Sequence, residues 1–371
     1  MKYTRSNIIK NLGTLLFTGF LSATPAVAQE KPNILWITCE DISPFLGSYG
    51  CKEALTPNLD KLAERGIRFT NAYANAPVCA VARSTLLTGM YSPTIGTHQM
   101  RSYVNLPDTI PAYPKLFREA GYYCTNNFKE DYNSNFMNNP EVWNESSTKA
   151  HYKNREDGQP FFAVFNFINC HESKLDTIFI NQFVKEGLIP ERPRNNPEDI
   201  VLPPYHPDLP EIREDWARLH DLITMTDQWA GGLLNELEEE GLSDNTIIFF
   251  YSDHGGTLSR AKRYIYNVGT QVPFIVYFPD KWKHLAPVAA GGTMDEMVSF
   301  IDFPKTVLSL ASIEPPEMMQ GRIFLGKEKE PAPESVHFFR DRMNERYDFS
   351  RAITDGRYYF IRNYYHYRPR G

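Results

Sequence analysis

Three stretches of this chain are almost unbroken runs of apolar residues, and they limit the fold more than any other feature. They are Asn33-Ile34-Leu35-Trp36-Ile37-Thr38, Phe161 through Ile168, and Thr246 through Tyr251. A strand with one wet face alternates apolar and polar residues. A strand apolar at every position is buried on both faces, which requires helices packed above and below its sheet. Helical patterns lie between the runs. Thr56-Pro57 opens one, with Thr56 as cap, Leu59, Leu62 and Ala63 on one face, and Gly66 at its end. Others are expected over 114–120, 212–240 and 302–311, with further strands over 122–124 and 272–278. The alternation predicts an α/β fold. The 24 Phe, 21 Tyr and 5 Trp in 371 residues suit broad buried sheets or a sugar-lined cleft.

After Pro315-Pro316 the pattern changes to short strands, including 335–339 and 358–362, with Asp355-Gly356 as a hairpin turn. A domain boundary is therefore expected near 315. The proline-rich stretch 174–210 reads as a long loop. At the other end, Lys2, Arg5 and Lys10 precede a short apolar stretch and Ala26-Val27-Ala28, the pattern of an export signal over 1–28. The expected division is a signal peptide over 1–28, a catalytic domain over 29–314 and a partial C-terminal subdomain over 315–371. Loss of the signal takes the net charge from −6 to −9 and leaves no membrane span. A chain this acidic is a poor partner for nucleic acid held by bulk charge. All five cysteines stay, an odd number, so at least one thiol is unpaired or modified.

Polar residues follow each apolar run. Glu40-Asp41 come after the first, Cys170-His171 after the second, and Asp253-His254-Gly255-Gly256 after the third. In a doubly wound sheet the carboxyl ends of the strands line the binding crevice, so these clusters are expected to converge. Glu40, Asp41 and Asp253 would make a hard, oxygen-rich site suited to Ca²⁺, while His254 alone leans toward a transition metal. Each acid taken singly also reads as a helix cap or a solvated loop residue.

The segment Cys79-Ala80-Val81-Ala82-Arg83-Ser84-Thr85-Leu86-Leu87-Thr88-Gly89 places an arginine one helical turn after a cysteine. Here the chain resembles the formylglycine-dependent sulfatases of the alkaline-phosphatase superfamily, closest to the heparan N-sulfoglucosamine sulfohydrolase-like branch. Pro32 through Ile37 before Glu40-Asp41, the Thr56-Pro57-Asn58-Leu59 helix and Ser252-Asp253-His254-Gly255 match its other motifs, so that the resemblance covers nearly all of 31–371. It implies a large mixed sheet sandwiched by helices, with a smaller, truncated α+β subdomain at the C-terminus. Val81 stands where the signature reads Pro or Ala, and Asp131 where many relatives carry His.

The resemblance also implies a chemistry. Cys79 would be oxidised to formylglycine by a formylglycine-generating or anaerobic sulfatase-maturating enzyme, and its hydrated aldehyde would attack sulfur. One Ca²⁺ would be held by Glu40, Asp41, Asp253 and His254, with the modified Cys79 as a further ligand. Arg83 would steady the nucleophile. Lys129 and Lys262 would contact the sulfate, His171 would protonate the leaving group or hold the sulfate, and His98 and Arg101 would line a sugar pocket. The implied activity is hydrolysis of sulfate esters or N-sulfates on a sulfated glycan, such as a glycosaminoglycan, in the periplasm or outside the cell. Two alternatives stand beside it: a phosphoester or phosphonate hydrolase of the same superfamily, and a catalytically degenerate protein that binds sulfated glycans.

Overall fold

The structure, a computed structural model, describes residues 30–343 and 346–368; the expected signal peptide, 1–28, lies outside the described residues. Thirteen strands carry the described fold: β1 (Asn33–Cys39), β2 (Ile67–Phe69), β3 (Ala72–Tyr73), β4 (Tyr123–Asn127), β5 (Glu145–Ser146), β6 (Phe161–Phe167), β7 (Thr246–Ser252), β8 (Phe274–Tyr277), β9 (Thr293–Met294), β10 (Val298–Ser299), β11 (Val336–Arg340), β12 (Ser350–Thr354) and β13 (Tyr359–Asn363). Eight form one sheet in the order β5-β4-β6-β1-β7-β8-β2-β9. The three apolar runs are its centre: β1 pairs in parallel with β6 on one side and β7 on the other. The β7–β8 and β2–β8 pairs are antiparallel, so the sheet is mixed.

Every residue of β1, β6 and β7 is buried, and their alternation feeds two cores rather than one. Ile34, Trp36, Phe162, Val164, Ile247 and Phe249 face one layer, which includes Leu86, Phe117 and Phe303. Leu35, Ile37, Ala163, Phe165, Ile248 and Phe250 face the other, with Leu59, Phe183 and Leu222. The helices Cys79–Thr88, Tyr113–Glu119 and Phe303–Leu310 therefore cover one side, and Pro57–Arg65, Thr177–Lys185 and Pro210–Glu239 the other. The α/β expectation holds. No described helix is long and apolar enough to cross a membrane.

Several local expectations needed correction. The stretch 174–210 is not all loop. Asp176 accepts from the Ile178 N–H at 2.8 Å and starts the helix Thr177–Lys185, which buries Ile180 and Phe183. The prolines that suggested a loop begin only at Pro190. Asp355-Gly356 does turn the chain, but the connection is four residues long, because Thr354 pairs with Tyr359. There the Asp355 carboxylate accepts from the N–H groups of Arg357 and Tyr358, and Gly356 takes the positive φ of 86°. Beyond residue 315 the described elements are the antiparallel strands β11, β12 and β13.

Thr56 does not cap the helix that follows it. Its hydroxyl instead serves Gly47 N–H at 2.8 Å and Asp60 at 3.1 Å. The capping carboxylate comes from far along the chain: Asp227, fully buried in the helix Pro210–Glu239, accepts from Leu59 N–H at 2.8 Å and Asn58 N–H at 3.3 Å. One side chain thus satisfies orphan donors of one helix and pins it to another. Asp227→Ala is expected to cost about 2–3 kcal/mol, more than an exposed cap, because the donors stay buried. Urea unfolding of the variant measures this directly, and a loss under half a kcal/mol would contradict it.

Candidate functional site

The parallel register aligns the ends of the central strands. Cys39 pairs with Ser252 and with Phe167, so the residues after them emerge at one level. Asp253 N–H then donates to Cys39 O at 2.9 Å, continuing the ladder by one step. This brings together Glu40, Asp41, Asp253 and His254, all of them buried. Asp41 takes a left-handed φ of 58°, a conformation that Asp tolerates better than bulkier residues. The bend is held by three contacts: its N–H on Asp253 Oδ1 at 3.2 Å, its carbonyl accepting from Thr257 Oγ1 at 2.8 Å, and its carboxylate accepting from Glu172 N–H at 2.7 Å. After His254 the backbone must pass close to a neighbouring turn. A Cβ on Gly255 would lie 2.3 Å from the Val268 carbonyl, so no larger residue fits.

Cys79 opens the helix Cys79–Thr88 and is 3% exposed. It is seated among Ala76, Val78, Val81, Met100, Phe339 and Met343, so the strand β11 and the loop beyond it belong to the same buried cluster as Cys79. The ligand atoms of Cys79, Asp253 and His254 all lie within 4.8 Å of one another. One turn on, Arg83 reaches Asp253 and Glu40 at 3.5 Å each, and donates to Asn166 Oδ1 at 2.7 Å. Lys129 is paired with Glu40. Lys262 Nζ donates to both oxygens of Asp41, at 2.9 and 2.8 Å, and its third direction meets His171 Nε2 at 2.9 Å.

These contacts fix charge states. Burial works against the Asp41 carboxylate, yet Lys262 and then His254 hold it well below the usual carboxylate range. Glu40 goes the other way: burial and the neighbouring Asp253 charge push it up, against the pull of Lys129 and Arg83. Burial lowers the His171 imidazole, which keeps it neutral. The Lys262 ammonium donates to Nε2, while Nδ1 accepts from the Ser173 N–H at 3.2 Å and lies 2.9 Å from Ser173 Oγ.

The donor set fits a divalent cation. Three buried carboxylates converge, and the charge of one raises the pKa of another. His254 Nε2 is buried without a well-aligned hydrogen bond, although Asp41 Oδ1 is only 3.0 Å away. A cation among these atoms would relieve both.

Of the sequence-derived candidates, nine meet here: Glu40, Asp41, Cys79, Arg83, Lys129, His171, Asp253, His254 and Lys262. The other two do not join them. His98 is half-buried and lies near Asp341, and Arg101 is exposed with a φ of 56°. Among the described residues neither shares a hydrogen bond or ion pair with the cluster. Some participants were not singled out from the sequence. Asn166, on β6, links Arg83 to Asn126, accepting from the first and donating to the second at 2.9 Å. Glu172 pairs with Arg263 and lies 3.6 Å from Lys262, tying the loop that carries His171 to the loop that carries Lys262. Cys170, by contrast, was picked out with His171 after the second apolar run, and its Sγ bonds the Glu40 carbonyl at 2.9 Å. An asparagine in the second apolar run was the one visible signal, because a buried amide needs partners.

Comparison with known proteins matches most of the chain to one family. The family described as Sulfatase matches residues 32–313, and the one described as N-sulphoglucosamine sulphohydrolase, C-terminal, matches 258–369. An ulvan-active sulfatase of Formosa agariphila is 37% identical over 380 aligned residues, which cover 92% of this chain and 62% of that protein. The chain thus spans less than two thirds of that relative. Two solved structures share the fold. One, in complex with its substrate D-glucosamine-2-N,6-O-disulfate, has a TM-score of 0.66 at 20% identity and covers 90% of this chain and 88% of its own. The other, a phosphonate monoester hydrolase from Silicibacter pomeroyi, has a TM-score of 0.67 at 17% identity, covering 90% and 87%.

Proposed function

The chain belongs to the sulfatase family, and from that premise we propose that it hydrolyses sulfate esters or N-sulfates on a sulfated glycan, using Cys79 converted to formylglycine and a divalent cation held at the strand ends. One observation carries this reading: Cys79 opens its helix within ligand distance of Asp253 and His254, with Arg83, Lys129 and Lys262 gathered at the same carboxylates. The ulvan-active relative and the sulfated glucosamine of the solved complex support a glycan substrate. Sulfatases of this family generally use a formylglycine and a metal ion, and the hard oxygen donors here favour Ca²⁺. The same reading takes 1–28 as an export signal, the protein as periplasmic or secreted, a maturating enzyme as its partner, and 315–371 as a distinct subdomain.

The protein's own groups divide the work. Arg83, Lys129 and Lys262 are paired with the buried carboxylates Glu40, Asp41 and Asp253, so much of their charge is already engaged. Glu40, Asp41, Asp253 and His254 would hold the cation, which supplies Lewis acidity and lowers the pKa of the nucleophilic hydroxyl. With their carboxylates so engaged, Lys129 and Lys262 can turn ammonium protons toward sulfate oxygens. Arg83, fixed by Asn166, keeps its charge under residue 79. His171 Nε2 accepts from the Lys262 ammonium, so it can take that proton and hand it to the departing oxygen, leaving Lys262 as the amine until solvent reprotonates it. His98 and Arg101, outside the cluster, are kept as candidate contacts to the sugar.

Two measurements test this reading. In protein from its native host, the peptide containing residue 79 should weigh about 18 Da less than its cysteine form. The enzyme should also cleave the sulfate ester of a chromogenic phenol faster than its phosphonate ester. An unmodified thiol, or a preference for phosphonate, would overturn the proposal.

A further inference from the structure

Outside this cluster, three further metal-ligating side chains meet. Cys51 and Glu53 stand in the loop before the helix Pro57–Arg65, and His220 stands on the helix Pro210–Glu239. We infer that Cys51, Glu53 and His220 form a second cation site, for a divalent transition-type ion of the Zn²⁺ class.

The geometry is that of ligands around one ion. One donor atom from each residue lies within 4.8 Å of the other two. Cys51 Sγ and Glu53 Oε2 are 3.4 Å apart. A tetrahedral ion with bonds of about 2.3 Å to sulfur and 2.0 Å to oxygen would hold them about 3.5 Å apart. The chemistry also differs from the strand-end cluster. Thiolate, imidazole and a single carboxylate select a borderline ion over Ca²⁺ or Mg²⁺.

The residues are held in place before any ion arrives. Gly50 turns the chain with a φ of 92°, and Cys51 N–H closes the turn on Leu46 O at 3.1 Å. Leu55 N–H bonds Thr224 Oγ1 at 3.0 Å, one helical turn beyond His220, and Asn195 holds the Glu53 carbonyl at 2.8 Å. His220 is 5% exposed, its ring packed against Phe45 and Trp216. Burial brings its pKa down to about 4, so the ring is neutral and keeps a lone pair on one nitrogen. Cys51 and Glu53 are half-buried, which leaves a way in for the ion. Binding replaces the Cys51 S–H bond with a sulfur–metal bond and releases one proton to solvent. The ion would tie the loop that follows Glu40-Asp41 to the long helix behind the sheet.

Co²⁺ added to the full chain with Ca²⁺ in excess tests the site, because a cobalt–thiolate bond absorbs in the near ultraviolet. The band should rise to one Co²⁺ per chain, persist in Cys79→Ala, disappear in Cys51→Ser and weaken in Glu53→Gln. A band that follows Cys79 instead of Cys51, or no band at all, would overturn the inference. If Cys51→Ser does not fold, Glu53→Gln decides by itself: unchanged cobalt affinity would reject the site.

Discussion

Cys79→Ala should lower turnover of a sulfate ester at least about 10⁴-fold, the scale seen when a nucleophile is deleted from a site that acts as a unit. The fold should barely notice. Cys79 sits in a small apolar cluster with Ala76, Val78 and Val81, and losing its sulfur leaves a void smaller than a methylene-rich side chain would, costing about 1 kcal/mol. Activity and unfolding midpoint should therefore separate cleanly. Cys79→Ser sharpens the test. Its hydroxyl stands near the same position, within reach of Asp253 and His254, but a lone hydroxyl offers no second proton to lose and so no route to expel the sulfate. Phenol release should stop at one equivalent per enzyme. Steady turnover by either variant would show that residue 79 is not the nucleophile.

The sequence showed the centre of the sheet and the polar clusters at its strand ends for one physical reason. β1, β6 and β7 are buried on both faces, so their apolar character is unbroken, and the polar residues that end them stand out by contrast. Short elements gave no such signal. β5 and β9 have two residues each, too few for any period, and exist because longer strands beside them offer a partner. The helix Thr177–Lys185 was hidden by neighbouring prolines that belong to the next segment. Thr56 was a sound local cap, but a buried carboxylate 171 positions away competed for the role, and tertiary contact prevailed. The supports of the site were illegible for the same reason. That Asn166 would accept from Arg83, or Glu172 from Arg263, depends on which strand ends lie side by side.

Lys262→Ala should produce the other large effect, on stability as well as rate. Lys262 is 5% exposed and supplies two of the protons that neutralise Asp41, which has no exposed surface. Truncating it leaves a buried carboxylate with its nearest cation gone, a loss of about 3–5 kcal/mol without metal. Asp41 also sets the sign of the acid response. Its folded pKa lies below the ordinary value of 3.8, so the wild type gains stability from it above that pH and loses it as the pH falls below. In Lys262→Ala the carboxyl is no longer held down, so that part of the acid dependence should shrink. Saturating Ca²⁺ gives Asp41 another counter-charge and should return much of the lost stability in urea unfolding. Turnover should stay down by about 10²–10³-fold, because the ion cannot replace an ammonium group directed at the sulfate. A variant whose activity returned with its stability would show that Lys262 only neutralises Asp41, and a variant as stable as wild type without metal would show that the Asp41 pair does not hold the site together.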